Sequence, residues 1–575
     1  MDKKQIIAIL NEIGTILELQ GENPFKARAY YNAARTLETL PGDVVELIKS
    51  GEIAQVKGIG KALSDKLSKL VLEGRLPYYE ELKQSVPPGL FEMLKIPGMG
   101  PKKVKAVYDT LGIDSLGALE YACKENRLRD LPGFGEKTQE KILKGIELRR
   151  KYNERSHYPV AENQAQQVLE YLKKNPAMNR IQIAGSLRRK KETIKDIDLV
   201  ASCRAADRVQ IMDYFVAAPG IQEVVSKGVT KSTVRFDSGI SCDLRLVEDD
   251  QFPFLLQHST GSKEHNTALR ARAKSLGFTM NEYGLFPAGE ETSVPCANET
   301  QVYQALGLRF IPPELRENMG EIEAAADGNL PELVSEQEIK GLLHVHSRYS
   351  DGANSLEELV QACRALGMEY LGISDHSKSA YYANGLNETR IRQQHEEIDR
   401  LNEKYTDFRI FKGIEADILP DGSLDYEDAV LEWFDFVIAS VHSSFKMSRE
   451  EMTRRICRAL EHPLVTILGH PTGRLLLGRE PYPLDLDAVL ETAARHRKII
   501  EINANPHRLD MDWRWGKTAA EMGIRTAINP DAHHLDGLQD YKIGVGIARK
   551  AWYSDKLVIN TRDREELDQL FREQK

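Results

Sequence analysis

The sequence predicts a multidomain chain of the α+β and α/β classes. Helical domains form the front, a mixed sheet the middle, and an irregular barrel of seven β/α units the back. Three observations carry this prediction. A Gly-hydrophobe-Gly turn that leads into a helix occurs three times before residue 140. An apolar strand near residue 200 begins with two alternating carboxylates. After residue 340, seven short apolar runs alternate with helical patterns, as in an α/β barrel.

Composition divides the chain into two halves. Its 575 residues suffice for roughly three to five domains. Residues 1–315 carry 45 basic and 41 acidic side chains, whereas residues 316–575 carry 33 and 46. We therefore expect nucleic acid to bind mainly to the front half. Isolated cysteines, short apolar runs and no signal peptide predict a cytoplasmic protein without disulfides or a membrane segment.

Two helical domains are predicted at residues 1–85 and 86–150, and each Gly-hydrophobe-Gly turn would contact DNA. Glycine lets a phosphate approach the backbone, and the free N–H groups at the next helix start can bind it. A single turn of this kind would be only a helix cap, but three copies favour DNA binding. The pattern resembles the helix-hairpin-helix, which positions DNA without reading its sequence. The predicted contacts are Gly58, Gly60, Gly98, Gly100, Lys102, Lys103, Gly133 and Gly135.

The middle of the chain carries a pattern typical of phosphate chemistry. Residues 185–189 read Gly-Ser-Leu-Arg-Arg, and Asp196 and Asp198 then begin an apolar strand. Residues two apart on a strand share a face, so the two carboxylates repel unless a cation lies between them. Hard oxygen ligands suit Mg²⁺ or Mn²⁺, while the turn and the arginines can bind phosphate. The pattern favours metal-assisted nucleotidyl transfer over a solvated surface turn.

This stretch resembles the nucleotidyltransferase motif of family X DNA polymerases, the group that includes DNA polymerase beta. The resemblance implies a palm at residues 151–247, with Asp196, Asp198 and Asp243 as catalytic ligands of two Mg²⁺ or Mn²⁺ ions. One ion would lower the pKa of the primer 3′-hydroxyl and the other would steady the triphosphate. Lys231, in a basic turn, would contact DNA phosphates.

Residues 248–315 resemble the nucleotide-selecting subdomain of the same family. Thr-Gly-Ser at 260–262 is followed by a helical pattern and by Gly-Phe-Thr-Met-Asn-Glu-Tyr-Gly at 277–284. The resemblance implies that Asn266 touches the incoming base and that Arg270 touches the template side. A solvated helix face would explain their polarity but not the flanking motifs. The predicted nucleotide-binding residues are Gly185, Ser186, Arg188, Arg189, Thr260, Gly261, Ser262, Asn266 and Arg270.

The resemblance also implies that residues 1–85 grip the 5′ side of a DNA gap. In some family members this domain removes a 5′-deoxyribose phosphate through a Schiff-base lysine, and Lys66 and Tyr30 match that site. A lysine on a helix facing phosphate is more often a simple phosphate contact. Lys66 is therefore predicted to bind DNA, and lyase activity is left open.

Residues 316–338 predict an acidic, alanine-rich linker, and residues 339–575 predict the barrel. Polar ligand residues follow nearly every apolar run, so they would share one rim of the barrel. Any single histidine here would be a satisfied core residue, but six histidines and three carboxylates are hard to explain in that way. The predicted metal ligands are His344, His346, Asp351, His376, Glu415, His442, His470, Asp531 and His533.

This set resembles the PHP (polymerase and histidinol phosphatase) domain. The resemblance implies a cluster of three Mn²⁺ or Zn²⁺ ions, and mixed imidazole and carboxylate ligands suit both metals. Taken as a whole, the chain is similar to bacterial fusions of a family X polymerase with a PHP domain. That similarity implies a monomer that uses dNTPs to fill gapped or nicked primer-template DNA in base excision repair. It also implies a 3′-5′ exonuclease in the back half, and it leaves cleavage at abasic sites open.

Three alternatives stay open at this point. The front half could be a terminal or RNA-directed nucleotidyltransferase, although the hairpins and the Thr-Gly-Ser block favour templated DNA synthesis. The back half could be a small-molecule phosphatase. The whole chain could be a non-catalytic repair factor that binds DNA ends, which the intact carboxylates disfavour.

Overall fold

The computed structural model describes most of the chain, in two compact units, residues 1–148 and 149–575. The predicted boundary at 150/151 adjoins residues 151–154, which lie outside the described part. No described helix combines the length and the apolar character that crossing a bilayer requires. The described residues are 3–39, 44–56, 58–96, 98–129, 131–150 and 155–575.

The first unit is helical, as predicted. Apolar residues at helical spacing on α1, such as Ile6, Leu10, Ile13 and Leu17, are buried in its core. The helices are α1 Lys3–Leu19, α2 Pro24–Thr39, α3 Val44–Lys49, α4 Lys61–Leu72, α5 Pro77–Gln84, α6 Pro88–Leu94, α7 Pro101–Leu111, α8 Leu116–Lys124 and α9 Glu136–Arg150.

The three glycine turns share one geometry. The first glycine of each turn, Gly58, Gly98 and Gly133, has a φ of +99°, +88° and +86°. This left-handed region favours glycine because a Cβ atom would clash there. The hydrophobic residue between the glycines is buried in every case, and the second glycine directly precedes α4, α7 or α9. The repeated pattern in the sequence therefore corresponds to a repeated structure.

The second unit begins with a five-stranded sheet in the order β2-β4-β7-β6-β5. Strands β4 and β7 run parallel, and their neighbours are antiparallel to them. The elements are β1 Ser156–His157, α10 Tyr158–Leu172, β2 Met178–Ile183, α11 Gly185–Arg188, β3 Thr193–Ile194, β4 Asp196–Cys203, α12 Arg208–Val216, β5 Ile221–Lys227, β6 Lys231–Phe236 and β7 Ser241–Val247.

A smaller subdomain follows, and the residues predicted as a linker pack into its core. Arg316 is fully buried and donates to Glu299 at 2.7 Å, while buried Glu321 contacts His265 at 2.6 Å. Residues 321–327 of this segment form helix α16, and buried ion pairs hold the segment against the subdomain. The elements are α13 Phe252–Thr260, α14 Lys263–Ser275, β8 Phe278–Asn281, β9 Gly284–Pro287, α15 Glu299–Ala305 and α16 Glu321–Asp327.

The predicted barrel of seven β/α units is confirmed. Its parallel strands follow one another in chain order, and a bridge between Val345 and Ala532 joins the first strand to the last. The elements are β10 Gly341–Leu342, α17 Leu356–Ala365, β11 Tyr370–Ile373, α18 Glu388–Lys404, β12 Arg409–Asp417, α19 Asp428–Leu431, β13 Phe436–Ser440, α20 Arg449–Leu460, β14 Ile467–Leu468, α21 Leu486–Arg495, β15 Ile499–Asn503, α22 Trp513–Glu521, β16 Thr526–Asn529, α23 Tyr541–Lys550 and α24 Arg564–Gln574.

Aromatic side chains of the strands pack against the last helix inside the barrel. Phe411 and Phe436 of the strands contact Phe571 of α24, with ring centroids 5.5 Å and 5.1 Å apart. Leu567 and Leu570 of the same helix join this buried cluster. The last helix therefore packs against the apolar interior of the barrel, and polar residues are left to the carboxyl ends of the strands.

Two candidate active sites

The three palm carboxylates lie together at the start of two parallel strands. Asp198 on β4 is paired directly with Asp243 on β7, and Asp196 lies two residues before Asp198 on the same face. Burial, followed by the charges of Asp196 and Asp243, raises the pKa of Asp198 to about 7. A divalent cation among these oxygens would remove that penalty, so the residues fit the predicted Mg²⁺ or Mn²⁺ site.

Asp243 is held by neighbours on the adjacent strand. Thr233 Oγ1 donates to one carboxylate oxygen at 2.6 Å, and Lys231 Nζ contacts the other at 2.6 Å. Lys231 therefore offsets the negative charge of the site in this structure. Its predicted contact with DNA stays a prediction.

The Gly-Ser turn is packed against the central carboxylate. Gly185 has a φ of +62°, and a Cβ atom there would lie 2.0 Å from Asp198 Oδ2. Only glycine satisfies both constraints, because any side chain would displace the carboxylate. Ser186 follows in the short helix α11, so the turn and the carboxylates form one site.

The two arginines after the turn contact the neighbouring subdomain. Arg188 pairs with Glu299 at 2.6 Å and donates to Thr260 Oγ1 at 2.7 Å. Arg189 pairs with Glu317 at 3.0 Å and donates to the carbonyl oxygen of Thr260 at 2.6 Å. The structure thus brings together Arg188, Arg189 and Thr260, three of the residues predicted to bind the nucleotide. Here the guanidinium groups join two subdomains, and their binding of triphosphate stays a prediction.

The predicted nucleotide-reading side chains lie on α14, next to the Thr-Gly-Ser block. Asn266 donates to the carbonyl oxygen of His258 at 2.7 Å and accepts from Gln257 at 3.0 Å. Arg270 contacts His258 Nδ1 at 3.0 Å. A Cβ atom on Gly261 would lie 2.2 Å from Asn266 Oδ1, so this glycine lets the amide approach the turn. Asn266 and Arg270 share one helix face, in agreement with the spacing.

The nine predicted barrel ligands converge at the carboxyl ends of the strands. Three groups have donor atoms within 4.8 Å of one another, and His346 and His376 each belong to two groups. His470 joins them through a 2.9 Å contact with Glu415. The three groups are His346, Asp351, His376 and His533; His344, His346 and Asp531; and His376, Glu415 and His442.

Buried ring nitrogens test whether this cluster fits metal ions. His344 Nε2, His346 Nδ1 and His442 Nε2 have no hydrogen-bond partner among the described residues. Burial alone would lower the pKa of His442, but the carboxylates of Glu415 and Asp417 raise it to about 9. A buried ring nitrogen that has no hydrogen-bond partner and faces carboxylates is costly unless a cation satisfies it. The donor set therefore fits divalent metal ions.

Two carboxylates that the sequence did not reveal contact the predicted histidine ligands on the ring nitrogen opposite the cluster. Glu501 Oε1 lies 2.7 Å from His344 Nδ1, and Asp417 Oδ1 lies 2.6 Å from His442 Nδ1. Such carboxylates fix the tautomer and the orientation of a metal ligand. Both end or nearly end an apolar strand. A carboxylate near the end of an apolar strand could have been recognised in the sequence as a candidate for the site. The histidines that Glu501 and Asp417 contact could not, because they are distant in the chain.

A third missed residue, Asp375, fixes the loop that carries Asp351. Its buried carboxylate accepts hydrogen bonds from Ser347 Oγ, Ser350 Oγ and Gln394 Nε2, each at 2.5 Å. The loop between His346 and Asp351 is therefore set by a side chain that does not itself join the three donor groups.

In the first unit, the hairpin turns leave room for a phosphate. A Cβ atom on Gly60, Gly98 or Gly100 would meet no described atom within 4 Å. Lys66 Nζ lies 2.5 Å from Tyr30 Oη and 3.6 Å from the ring centre of Tyr78. Burial lowers the pKa of Lys66.

Substituting Gly185 by alanine tests the close approach of the turn to Asp198. The new Cβ atom must displace the carboxylate, so we expect nucleotidyl transfer to fall by about 100-fold, the cost of a misplacement near 1 Å. Gly277→Ala is the matched control, because Gly277 also has a positive φ but a Cβ atom there meets no described atom within 4 Å. Equal losses in the two variants would contradict the steric argument.

Substituting Glu501 by glutamine tests the support of His344. The amide keeps the shape of the side chain but loses the charge that orients the imidazole, so metal affinity should fall by about 10- to 100-fold. Bound metal is measured by elemental analysis after dialysis against a metal buffer. Asp428→Asn is the control, because Asp428 contacts His462 at 3.1 Å on the surface. Unchanged metal content in Glu501→Gln would show that Glu501 does not orient His344 for metal binding.

Profiles of known families match four parts of the chain. A helix-hairpin-helix domain matches residues 1–76, and a SAM-like helix-hairpin-helix tandem matches residues 91–148. The DNA polymerase beta thumb matches residues 255–317, and the PHP domain matches residues 343–505.

Known relatives cover either the whole chain or a part of it. The DNA polymerase/3′-5′ exonuclease PolX of Bacillus subtilis is 40% identical over 573 residues, 99% of both chains. A probable phosphatase of Thermoanaerobacter sp. (strain X514) is 33% identical over 171 residues, 28% of this chain and 67% of that protein. Another, from Caldanaerobacter subterraneus, is 29% identical over 240 residues, 38% and 85% of the two chains. With the palm carboxylates, the thumb and the barrel cluster in one polypeptide, this chain belongs to the PolX family of DNA polymerases and 3′-5′ exonucleases.

Proposed function

We propose that this polymerase fills short gaps in DNA during base excision repair and removes nucleotides from 3′ ends at its barrel cluster. The observation that carries the proposal is the presence of two separate sites, each with its ligands assembled. Asp198 and Asp243 are paired across parallel strands, and the nine predicted ligands converge on the barrel rim.

In the palm, Asp196, Asp198 and Asp243 would hold two Mg²⁺ or Mn²⁺ ions. Such ions, when bound, lower the pKa of a hydroxyl nucleophile and stabilise charge on phosphate oxygens. The protein itself fixes the three carboxylates on adjacent strands, so they need no reorganisation during the reaction. Asn266 and Arg270 would face the base pair from α14. Ser186, Arg188 and Arg189 would help to hold the phosphates of the nucleotide.

In the barrel, the nine ligands would hold three ions, with Mn²⁺ and Zn²⁺ both suited to the donors. Bound ions of this kind supply an activated water for attack on phosphorus. Glu501 and Asp417 orient two of the imidazoles, and Asp375 holds the loop that carries Asp351. Burial of these groups keeps the donors fixed while the rim stays available to a DNA end.

The proposed substrates are gapped or nicked primer-template DNA and dNTPs, bound by a monomer. The front half is mildly basic, and each hairpin places a glycine turn directly before a helix start, where backbone N–H groups can bind phosphate. This supports contact without sequence preference. The cytoplasmic location stays a prediction. So do the residue limits of the six domains; the matched profiles lie at residues 1–76, 91–148, 255–317 and 343–505.

One observation favours an added 5′-deoxyribose phosphate lyase. Burial lowers the pKa of Lys66, and its amine lies against Tyr30 and the ring of Tyr78. A Schiff base forms from the neutral amine, so this setting makes the lysine a better nucleophile. Trapping by borohydride on a 5′-deoxyribose phosphate end, with Lys66→Arg as control, tests this activity.

The phosphatase alternative for the barrel has support of its own, because probable phosphatases are similar to 171 and 240 residues of this chain. The two alternatives differ in substrate. Nucleotide release from a 3′ DNA end is compared with phosphate release from a sugar phosphate. Incubation with a one-nucleotide gapped duplex and Mn²⁺, with and without dNTPs, tests both sites of the proposal at once.

Replacing Lys102 and Lys103 together by alanine tests the hairpin contacts. Loss of two phosphate contacts should weaken DNA binding by about tenfold or more. It should also reduce the slope of log affinity against log salt by about two, equally for all sequences. Lys173→Ala with Lys174→Ala is the control, because it removes the same charge from an exposed pair outside the hairpins. An effect confined to one DNA sequence would show that the hairpins read bases.

Replacing Asp198 by alanine tests the independence of the two chemistries. Synthesis should fall by orders of magnitude, because a ligand at the reacting centre is lost. Digestion of a 3′ end should persist, because no barrel ligand is touched. Replacing His344 and His346 by alanine should do the reverse.

Metal binding contributes to folding, so the barrel variant is first checked by circular dichroism. The two-site assignment fails if folded Asp198→Ala, still able to bind DNA, loses both activities. The nuclease would then belong to the palm.

A further inference from the structure

The segment that joins the Gly-Ser turn to the catalytic strand β4 is packed against the barrel. Glu192 contacts Arg514 on α22 at 3.1 Å and Arg474 at 3.7 Å. The side chain of Lys190 lies 3.2 Å from the Cβ position of Gly546 on α23, and Lys191 lies over the ring of Trp513 at 5.0 Å. The palm motif therefore rests on two barrel helices.

Lys550, the last residue of α23, is the most deeply placed of these contacts. It is 1% exposed, and its Nζ donates to the carbonyl oxygen of Arg189 at 3.1 Å and to that of Glu314 at 3.3 Å. It also pairs with Glu317 at 2.5 Å and lies 4.3 Å from the ring centre of Trp513. An ammonium group is costly to bury, and these oxygens and the ring face offset the cost only in this arrangement.

Glu317 connects Lys550 to the side chain of Arg189. The same carboxylate oxygen that accepts from Lys550 lies 3.0 Å from Arg189 Nε. The other oxygen lies 3.5 Å from Lys191. Lys550 therefore holds Arg189 twice, directly at the backbone and through Glu317 at the guanidinium group.

Arg189 ends the short turn that packs against the carboxylate of Asp198. The backbone N–H of Arg189 donates to the carbonyl oxygen of Gly185 at 3.2 Å. Gly185 in turn lies so close to Asp198 that a Cβ atom would be 2.0 Å from Oδ2. A shift of Arg189 is thus passed through one short turn to the palm site, because packed groups at this spacing cannot move independently.

We propose that Lys550 of the barrel is a positioning residue for DNA synthesis in the palm. It sets the turn at residues 185–189 and the direction of Arg189, without touching DNA, nucleotide or the barrel ligands. The inference rests on the proposed assignment of synthesis to the palm carboxylates. It makes the barrel a scaffold for the polymerase site in addition to its own hydrolytic role.

The test replaces Lys550 by methionine, which keeps length and removes the donors. We expect KM for dNTP on a gapped duplex to rise by about tenfold, since loss of orientation weakens triphosphate binding. Exonuclease turnover on a 3′ end should stay within about twofold, because no barrel ligand is changed. Lys550→Arg, which keeps the charge, should restore part of the loss.

Arg549→Met is the matched control. Arg549 precedes Lys550 on the same helix and pairs with Glu314 at 2.7 Å, but its side chain contacts Val334 instead of the palm turn. We expect it to lower thermal stability as Lys550→Met does, while KM for dNTP stays unchanged. A rise in KM that is equal in the two variants would reduce Lys550 to a general interface contact and overturn the inference.

A second substitution keeps the inference testable if Lys550→Met does not fold. Glu317→Gln weakens the same connection from the other side, so KM for dNTP should rise in it too. In the double variant the effects should be less than additive. An unchanged KM in folded Glu317→Gln would overturn the inference. Asp198→Ala, run in parallel, separates this outcome from failure of the palm assignment, because only the latter would leave synthesis in Asp198→Ala.

Discussion

Repulsion between carboxylates at the ends of parallel strands is the constraint on which the palm depends. Asp198 and Asp243 are direct neighbours across β4 and β7, and burial with like charge raises the pKa of Asp198 to about 7. Lys231 offsets part of this charge at Asp243. The fold thus concentrates negative charge at the start of these two strands, and divalent cations bound there would relieve the repulsion. Gly185 follows from the same constraint, since no side chain fits beside the crowded carboxylate.

The barrel site also brings charged and polar groups close together, but its groups are buried and further carboxylates hold two of them in place. Its histidines and carboxylates lie out of solvent, where unpaired polar atoms are costly. Glu501 contacts Nδ1 of His344, and Asp417 contacts Nδ1 of His442. Nε2 of each ring is therefore left for a metal ion. Such pairing fixes the tautomer before any ion arrives. The three palm carboxylates lie on two strands, whereas the barrel ligands come from many strand ends and are held by further carboxylates around them.

Short sequence patterns correctly predicted those parts of the structure that depend on neighbouring residues. The three glycine turns, the alternating carboxylates and the ligand residues after apolar runs all correspond to structure, because turns, strand faces and strand ends are set by neighbouring residues. Contacts between distant segments were not predictable in this way. Residues 316–338 looked like an acidic linker, but Arg316 and Glu321 are buried in ion pairs with residues of α15 and α14. The partners of Glu501 and Lys550 lie 157 and 361 residues away in the chain.

Because of the contacts between palm and barrel residues, the two sites are independent in their ligands but not in the structure that supports them. The chemistries are separate, since no ligand of one site belongs to the other. The scaffolds are shared, because Glu192, Lys191 and the carbonyl oxygen of Arg189 all contact barrel residues. A buried lysine with a carboxylate partner tolerates little displacement, so the barrel helix and the palm turn move together or not at all. Removal of the barrel would take away the lysine that pairs with Glu317 and the helix against which the turn beside Asp198 rests. On the role proposed for Lys550, the barrel is therefore also part of the structure that supports synthesis.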